Sequence, residues 1–401
     1  MLRALRKEPE RRYGSVQALR EDIDRHLAGL PVRARGDSVW YRSRKFVQRH
    51  GTSVAATALV AITLAAGVIA TVAQARRAET ERALAEQRFR DMRSLAGTLV
   101  SEIHDVIVDL PGALPARITL VTRALEHLQR LDQQAGDDRA LQREIATAYV
   151  KLGLVQGNPS GANLGDLAAA RASFARALSI GEELVAADST DRAARRTLAL
   201  AHEKLSDAEA WLGDMPEALE HARSALEQWQ LLAVDSSASV APQRAVAMSH
   251  IKLGDVLGSP NLPSLSDAAA ATAEYREALA LLDVLPRDSL GDWATRRLLA
   301  LVHERLGSML DQAGRHAEAK AQFGQAIAVR EGLVRERPAS VDALRDLAVA
   351  HQLMCEAQLT GGDATGALER CRRSLAIYES LRAANPGNSQ SLRDLALVAC
   401  Q

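Results

Sequence analysis

RRTLALAHEKLS, residues 195–206, recurs as RRLLALVHERLG at residues 296–307, and LRDLA at 344–348 returns at 392–396. Internal repetition on this scale is the mark of a stacked-repeat architecture. Apolar residues within each copy fall three and four apart, the period of an amphipathic helix. Small residues extend the register outward: Ala124, Ala177, Ala225, Ala278, Ala326 and Ser374 align at steps of 53, 48, 53, 48 and 48. The longer steps come from two turns, GNPSGANLGD at 157–166 and GSPNLPSLSD at 258–267. Each is five residues longer than the plain turn in LGDMPEA at 212–218. The pattern predicts pairs of antiparallel helices stacked in series over residues 118–401.

The clearest unit carries Leu306, Gly307, Gly314, Ala319, Phe323 and Ala326. Its first helix runs to about Ala313, Gly314 permits the turn, and small residues on the second helix admit close approach. Gly153 and Gly213 belong to the same set in earlier units. This pattern resembles a tetratricopeptide (TPR) repeat, although the spacing of 48 departs from the 34 residues of that family. Two units depart further: Ser206 and Met354 stand where glycine is expected, and Ala222 and Cys371 replace the aromatic residue. The resemblance implies an all-α fold, a TPR-like α-solenoid of helix hairpins whose surface binds a protein or peptide. The final LRDLALVACQ reads as the start of one more first helix, so a truncated array is expected.

Upstream, residues 51–73, GTSVAATALVAITLAAGVIATVA, contain no charge. They are long enough to cross about 30 Å of hydrocarbon as a transmembrane helix. The expectation is a single pass, with lipid as the partner of this segment. Thr63, Gly67 and Thr71 form a small-residue stripe suited to pairing of two spans in a homodimer. Residues 74–115 read as a charged amphipathic helix ended by Pro111, Gly112 and Pro115. Arginines flank the span on both sides, so basic residues alone do not orient it. Trp40 and Tyr41 suit the headgroup level on the N-terminal side.

Residues 1–30 read as a short helix, a break at Pro9, and a second helix with Val16, Leu19, Ile23 and Leu27 at helical spacing from an N-cap at Ser15. Residues 31–50 read as a basic juxtamembrane linker. ALRKEPERRYGSVQALREDIDRHLAGLPVRAR resembles the last helices of the C-terminal lobe of receptor-like bacterial serine/threonine kinases. The resemblance implies a buried, ion-paired Arg12 in KEPERRY. It also implies a cytoplasmic N-terminus, repeats outside the inner (cell) membrane, and a kinase lobe missing from this chain. No glycine-rich phosphate loop, catalytic-loop Asp or Asp-Phe-Gly occurs. As written, the chain is not catalytic. ATP and magnesium would belong to the missing lobe, and no cofactor or metal is expected here.

Composition supports this frame. Phe, Trp and Tyr make up only 3%, which argues against aromatic-rich sheet architectures. Lys plus Arg and Asp plus Glu are 50 each, so no global charge points to nucleic acid. The balance is uneven, however, with 13 basic against 6 acidic residues in positions 1–50. Three cysteines, Cys355, Cys371 and Cys400, are too few for a disulfide framework or a four-ligand zinc site; an oxidising compartment would tolerate one Cys355–Cys371 bridge with an odd third thiol, but they read first as small buried groups. His202 and His303 occupy equivalent repeat positions, and His351 lies near the same place, which favours packing over catalysis. Trp211, Trp229 and Trp293 read as repeat core or, alternatively, as peptide-contact residues, with core favoured. The sequence therefore points to a membrane-anchored interaction region of a bacterial kinase or, alternatively, to a stand-alone membrane-anchored TPR scaffold.

Overall fold

A computed structural model describes residues 13–35, 38–98, 114–157, 163–234, 240–285 and 292–384, with residues 4, 8 and 395; the side chains of 35, 42, 49, 81–98, 114, 117 and 134 are not described. Arg12, Pro9, Pro111, Gly112, Cys400 and most of 392–396 lie outside this set. Two compact units, Met1–Asp91 and Met92–Gln401, divide the chain and are taken separately.

In the first unit α1 is Val16–Leu27, α2 is Val39–Arg49 and α3 begins at Gly51 and runs to Thr98. Ser15 caps α1, its hydroxyl accepting from the Ala18 N–H. The segment after α1 is tied back by Asp22, whose carboxylate accepts from the Arg33 and Ala34 N–H groups at 2.7 and 2.8 Å and from the Tyr13 hydroxyl at 3.0 Å. Within the basic juxtamembrane segment 31–50, part of the chain is helical. Residues 39–49 form a helix because no proline or glycine interrupts them, and their apolar residues recur at helical spacing.

Within Gly51–Thr80 of α3 the most apolar 18 residues have a mean hydropathy of 2.2, and none of them is buried within the protein. At 30 residues it reaches about 45 Å, more than enough to span the hydrocarbon. Leu59, Ile62, Leu64 and Ile69 are all exposed. The threonine hydroxyls fold back on the helix: Thr57 donates to the Ser53 carbonyl, Thr63 to Leu59 and Val60, and Thr71 to Gly67. No side-chain donor in that set is left facing hydrocarbon without an acceptor, as a lipid environment demands. Among the described residues α3 is the one helix long and apolar enough to cross a membrane, and it continues without a break into the charged segment beyond the span.

The second unit is a stack of hairpins. After α4 (Leu114–Gln134), the first and second helices of successive hairpins are α5 (Arg139–Gly157) with α6 (Leu167–Ala187), α7 (Arg192–Leu212) with α8 (Met215–Val234) and α9 (Val240–Gly258) with α10 (Ala268–Asp283). These are followed by α11 (Trp293–Gln312) with α12 (His316–Glu336) and α13 (Val341–Thr360) with α14 (Ala364–Ala384). No strand occurs among the described residues. Each second helix packs against the next first helix, giving a TPR-like α-solenoid.

All five hairpins turn through one left-handed residue, Gly165, Gly213, Ser266, Gly314 or Gly362, with φ between 63° and 90°. Asp166, Asp267 and Asp363 follow immediately, and their carboxylates cap the second helix by accepting from the N–H three residues on. The two longer turns add their five residues before this point and fold back on the first helix. Leu164 N–H donates to Val155 C=O, and Leu265 N–H to Val256 C=O.

Within a hairpin the two helices meet at one recurrent pair. A Cβ added to Gly153 would lie 2.4 Å from the Phe174 ring; at Gly254 it would lie 2.6 Å from Tyr275, and at Gly307 2.7 Å from Phe323. Only glycine leaves room for a ring there. Burial of such a ring stabilises the hairpin by about 2–3 kcal/mol. The two remaining hairpins solve the same contact differently. Ser206 faces Ala222, and the Ser206 hydroxyl donates to the Ala218 carbonyl. In the last hairpin the equivalent residues are Cys355 and Cys371, joined by a disulfide with Cα atoms 5.5 Å apart.

Two sequence expectations change here. The glycine-equivalent residue is Cys355, not Met354, and the two cysteines are bridged rather than independent packing groups. Sixteen residues separate them, the same spacing as Gly307 and Phe323, so they face each other across the shorter turn. Reduction should lower the unfolding free energy of the repeats by about 3 kcal/mol, the value for a loop of this length. The double variant C355G/C371F, which installs the neighbouring repeat's pair, should make denaturant midpoints insensitive to reductant while keeping much of that stability.

Candidate functional site

The first helices of successive hairpins pack on one another as well as on the preceding second helix, so α5, α7, α9, α11 and α13 form the inner wall of the stack. Along this wall equivalent triplets recur, Arg143–Thr147–Lys151, Arg196–Leu200–Lys204, Arg244–Met248–Lys252, Arg297–Leu301–Arg305 and Arg345–Val349–Leu353, with arginine leading all five, an apolar middle residue in four and a cation third in four. Spacing of four residues puts each triplet on one helix face. The stack therefore presents a column of arginines, a column led by half-buried Leu200, Met248 and Leu301, and a second column of cations. No reading of isolated histidines or tryptophans finds this. Aligning all five first helices at the 48 and 53 steps does.

Acids from neighbouring hairpins hold the cations in place. Arg143 pairs with Asp191 at 2.5 Å, Lys252 with Asp207 at 2.7 Å, and Arg305 with Asp255 at 2.7 Å. Arg244 pairs with Asp292, the cap of the following first helix. Asp255 also accepts from the Tyr275 hydroxyl at 2.8 Å, linking a hairpin's internal ring contact to the next hairpin. Burial and the Asp255 charge push the Tyr275 phenol well above its usual value. Deeper in the stack Arg330 and Glu304, each 3% exposed, pair at 3.0 Å, and Arg330 also reaches Asp346 at 2.7 Å. Burial raises the Glu304 carboxyl despite Arg330. Removing one member of such a pair leaves a buried charge, whereas the intact set fixes the register between hairpins.

A cavity of about 540 Å³ opens on this wall, lined by Arg244, Met248, Trp293, Arg297, Leu301 and Asp346 among others. The Arg297 and Arg337 guanidiniums lie 5.4 and 4.7 Å from the Trp293 ring centre. Trp229 is core at 7% exposure, but Trp293 lines this cavity and Trp211 is 50% exposed at the end of α7. The core expectation thus holds for Trp229 alone. Trp211 is in the last turn before the left-handed Gly213.

The other singled-out residues fall in the hairpin interiors. Ala319 and Ala326 are fully buried, Gly213 and Gly314 are turn residues, and Gly153 and Gly307 face rings. The histidine column proves longer than the sequence reading gave: His202, His250, His303 and His351 are equivalent, at steps of 48, 53 and 48. Each points at its own second helix. His202 Nδ1 lies 3.1 Å from His221 Nδ1, His250 Nδ1 2.6 Å from Glu274, His303 Nδ1 2.7 Å from Gln322, and His351 Nδ1 3.5 Å from Arg370. No set of three metal-ligating side chains converges among the described residues. These histidines are packing groups between paired helices.

Burial, reinforced by His221, lowers His202 to about 4, and burial with Arg370 and Arg373 lowers His351 to about 4. Both values lie below the unfolded histidine value of 6.5. The unfolded chain therefore takes up protons that the folded chain refuses, and stability is lost as pH falls from 6.5 toward 4. Lowering the pH from about 7.5 to about 5.5 should cost about 1 kcal/mol per histidine. H202Q/H351Q should remove most of that change in urea midpoint.

No family model and no curated protein matches the chain. Among solved structures, BtubC (BKLC) from P. vanneervenii is similar with a TM-score of 0.50 and 19% identity, over 67% of this chain and 92% of that one. MamA matches at 0.31 and 16%, covering 55% of this chain and 98% of its own. A thermophilic TPR protein of Thermus thermophilus matches at 0.32 and 15%, covering 64% and 100%. At these identities the likeness is one of fold. The chain is a membrane-anchored, all-α repeat protein with a TPR-like solenoid.

Proposed function

We propose that the protein is a membrane-anchored scaffold that recruits another protein through the inner wall of its repeats. The observation that carries this reading is the repeated Arg–apolar–cation triplet. Leu200, Met248 and Leu301 each pack on the hydrophobic core with one side and leave the other open at equivalent positions, and together with the Trp293 cavity they offer an extended chain an apolar track between charged borders. Peptide arrays probed with the purified protein should yield ligands whose binding falls tenfold or more in M248E/L301E. L368E, on the exposed outer side of α14, should leave binding unchanged. Equal loss in both variants would move the site off the inner wall.

The orientation proposed is N-terminus cytoplasmic and repeats extracytoplasmic. The Cys355–Cys371 bridge supports it, because disulfides persist in oxidising compartments. A periplasm-active phosphatase fused after residue 384 should be active and a fluorescent protein that matures only in the cytoplasm dark; the reverse pattern overturns this orientation. A second, finer reading makes the chain the sensor region of a receptor-like serine/threonine kinase. It rests on the resemblance of residues 4–35, ending in the segment clasped by Asp22. A kinase lobe encoded in frame upstream of Met1 would support it. A homodimer through Thr63, Gly67 and Thr71 belongs to the same reading.

A further inference from the structure

In a soluble helix the apolar side is covered and the polar side faces water; in α2 the apolar side faces solvent as well. At about 100° per residue, Val39, Trp40, Phe46 and Val47 share one arc of about 120°. All four are open to solvent, at 77%, 72%, 59% and 46% exposure. Tyr41 and Lys45, on the other side, are half-buried. Ser43 is the one polar residue within this arc, and no described residue of its own unit covers the arc. Residues 38–50 also hold four basic residues, Arg42, Arg44, Lys45 and Arg49, and no acid. The Arg44 guanidinium lies 5.7 Å from the Trp40 ring centre, at the border between the two sides.

The helix ends where the membrane begins. His50 still donates its N–H to the Phe46 carbonyl, but its φ of −118° and ψ of 34° leave the helical region, and α3 starts afresh at Gly51. The span and α2 are therefore separate helices joined by one bent residue, and α2 is held within a residue of the lipid surface. An exposed apolar arc, a purely basic complement and this tether together select one occupant.

We propose that α2 lies on the membrane as an interfacial helix, with Val39, Trp40, Phe46 and Val47 inserted among the acyl chains and the adjacent basic residues bound to anionic phospholipid phosphates. This rests on α3 being the anchor. Uncharged lipid would satisfy the apolar arc alone; a segment with four cations and no acid calls for an anionic surface.

The test uses the full chain with C400S, so that an introduced cysteine is the single free thiol beside the disulfide. A polarity-sensitive fluorophore is placed in turn through F46C, Q48C and L64C, with W40C as a second reporter on the apolar arc. The protein is reconstituted into phosphatidylcholine vesicles with or without phosphatidylglycerol, carrying nitroxide quenchers in headgroup or acyl chain. In phosphatidylglycerol vesicles, labels at 46 and 40 should be quenched by the lipid nitroxides several-fold more than the label at 48. In pure phosphatidylcholine, or in R44E/K45E, that difference should shrink several-fold. Equal quenching at 46 and 48, or no dependence on phosphatidylglycerol, would overturn the proposal. So would a label at 46 shielded from aqueous iodide yet untouched by lipid nitroxides, since another protein surface would then cover the arc. The label at 64 separates the two levels of failure. Acyl-chain quenching there without lipid contact at 46 sinks only the interfacial helix, whereas no quenching at 64 sinks the anchor itself.

Discussion

Every hairpin of the repeat unit depends on how closely its two helices approach at one residue pair. Where that pair is glycine and a ring, as in Gly153 with Phe174, Gly254 with Tyr275 and Gly307 with Phe323, the ring lies flat on a backbone that carries no Cβ. Elsewhere a serine and an alanine, or a disulfide, occupy the same two positions. Three chemically different solutions at one structural place indicate that the distance between the helices is what the fold maintains from hairpin to hairpin. The histidine column one turn earlier works to the same end, with a ring wedged between the paired helices and partnered by the second of them.

With that distance set, the hairpins can be keyed to each other by charge. Asp255 illustrates the coupling: it accepts from Tyr275 within its own hairpin and from Arg305 in the next, so the internal packing and the stacking register share one carboxylate. Arg330 does the same between Glu304 and Asp346. Such pairs contribute little net stability against a well-packed apolar alternative, but a wrong register would strand buried charges at considerable cost. Ordered stacking then aligns residues that are 48 or 53 positions apart in the chain, and the inner wall acquires its columns.

The membrane unit answers to a different solvent. Its span satisfies its own hydroxyls and leaves its apolar side chains outward, where the repeats bury theirs. The change at His50 from a basic amphipathic helix to an uncharged one marks the passage from interface to hydrocarbon.

Much of this is legible in the sequence because it is periodic or compositional. An uncharged run of 23 residues specifies a span through hydration energetics alone, and steps of 48 and 53 specify equivalent hairpins through the helical period and turn length. The left-handed turns can be read from Gly314, but Ser266 cannot, because only the geometry of the turn forces a serine into that conformation. Residues 39–49 read as linker because dense charge hides the helix until the arc of Val39, Trp40, Phe46 and Val47 is drawn on a backbone. The sequence allowed a Cys355–Cys371 bridge without requiring it; its closure, the exposure of Trp211 and the opening of a cavity beside Trp293 were decided only by the tertiary structure. Each depends on which two helices meet and at what distance, and a linear pattern fixes the faces of helices without fixing which surfaces they bring together.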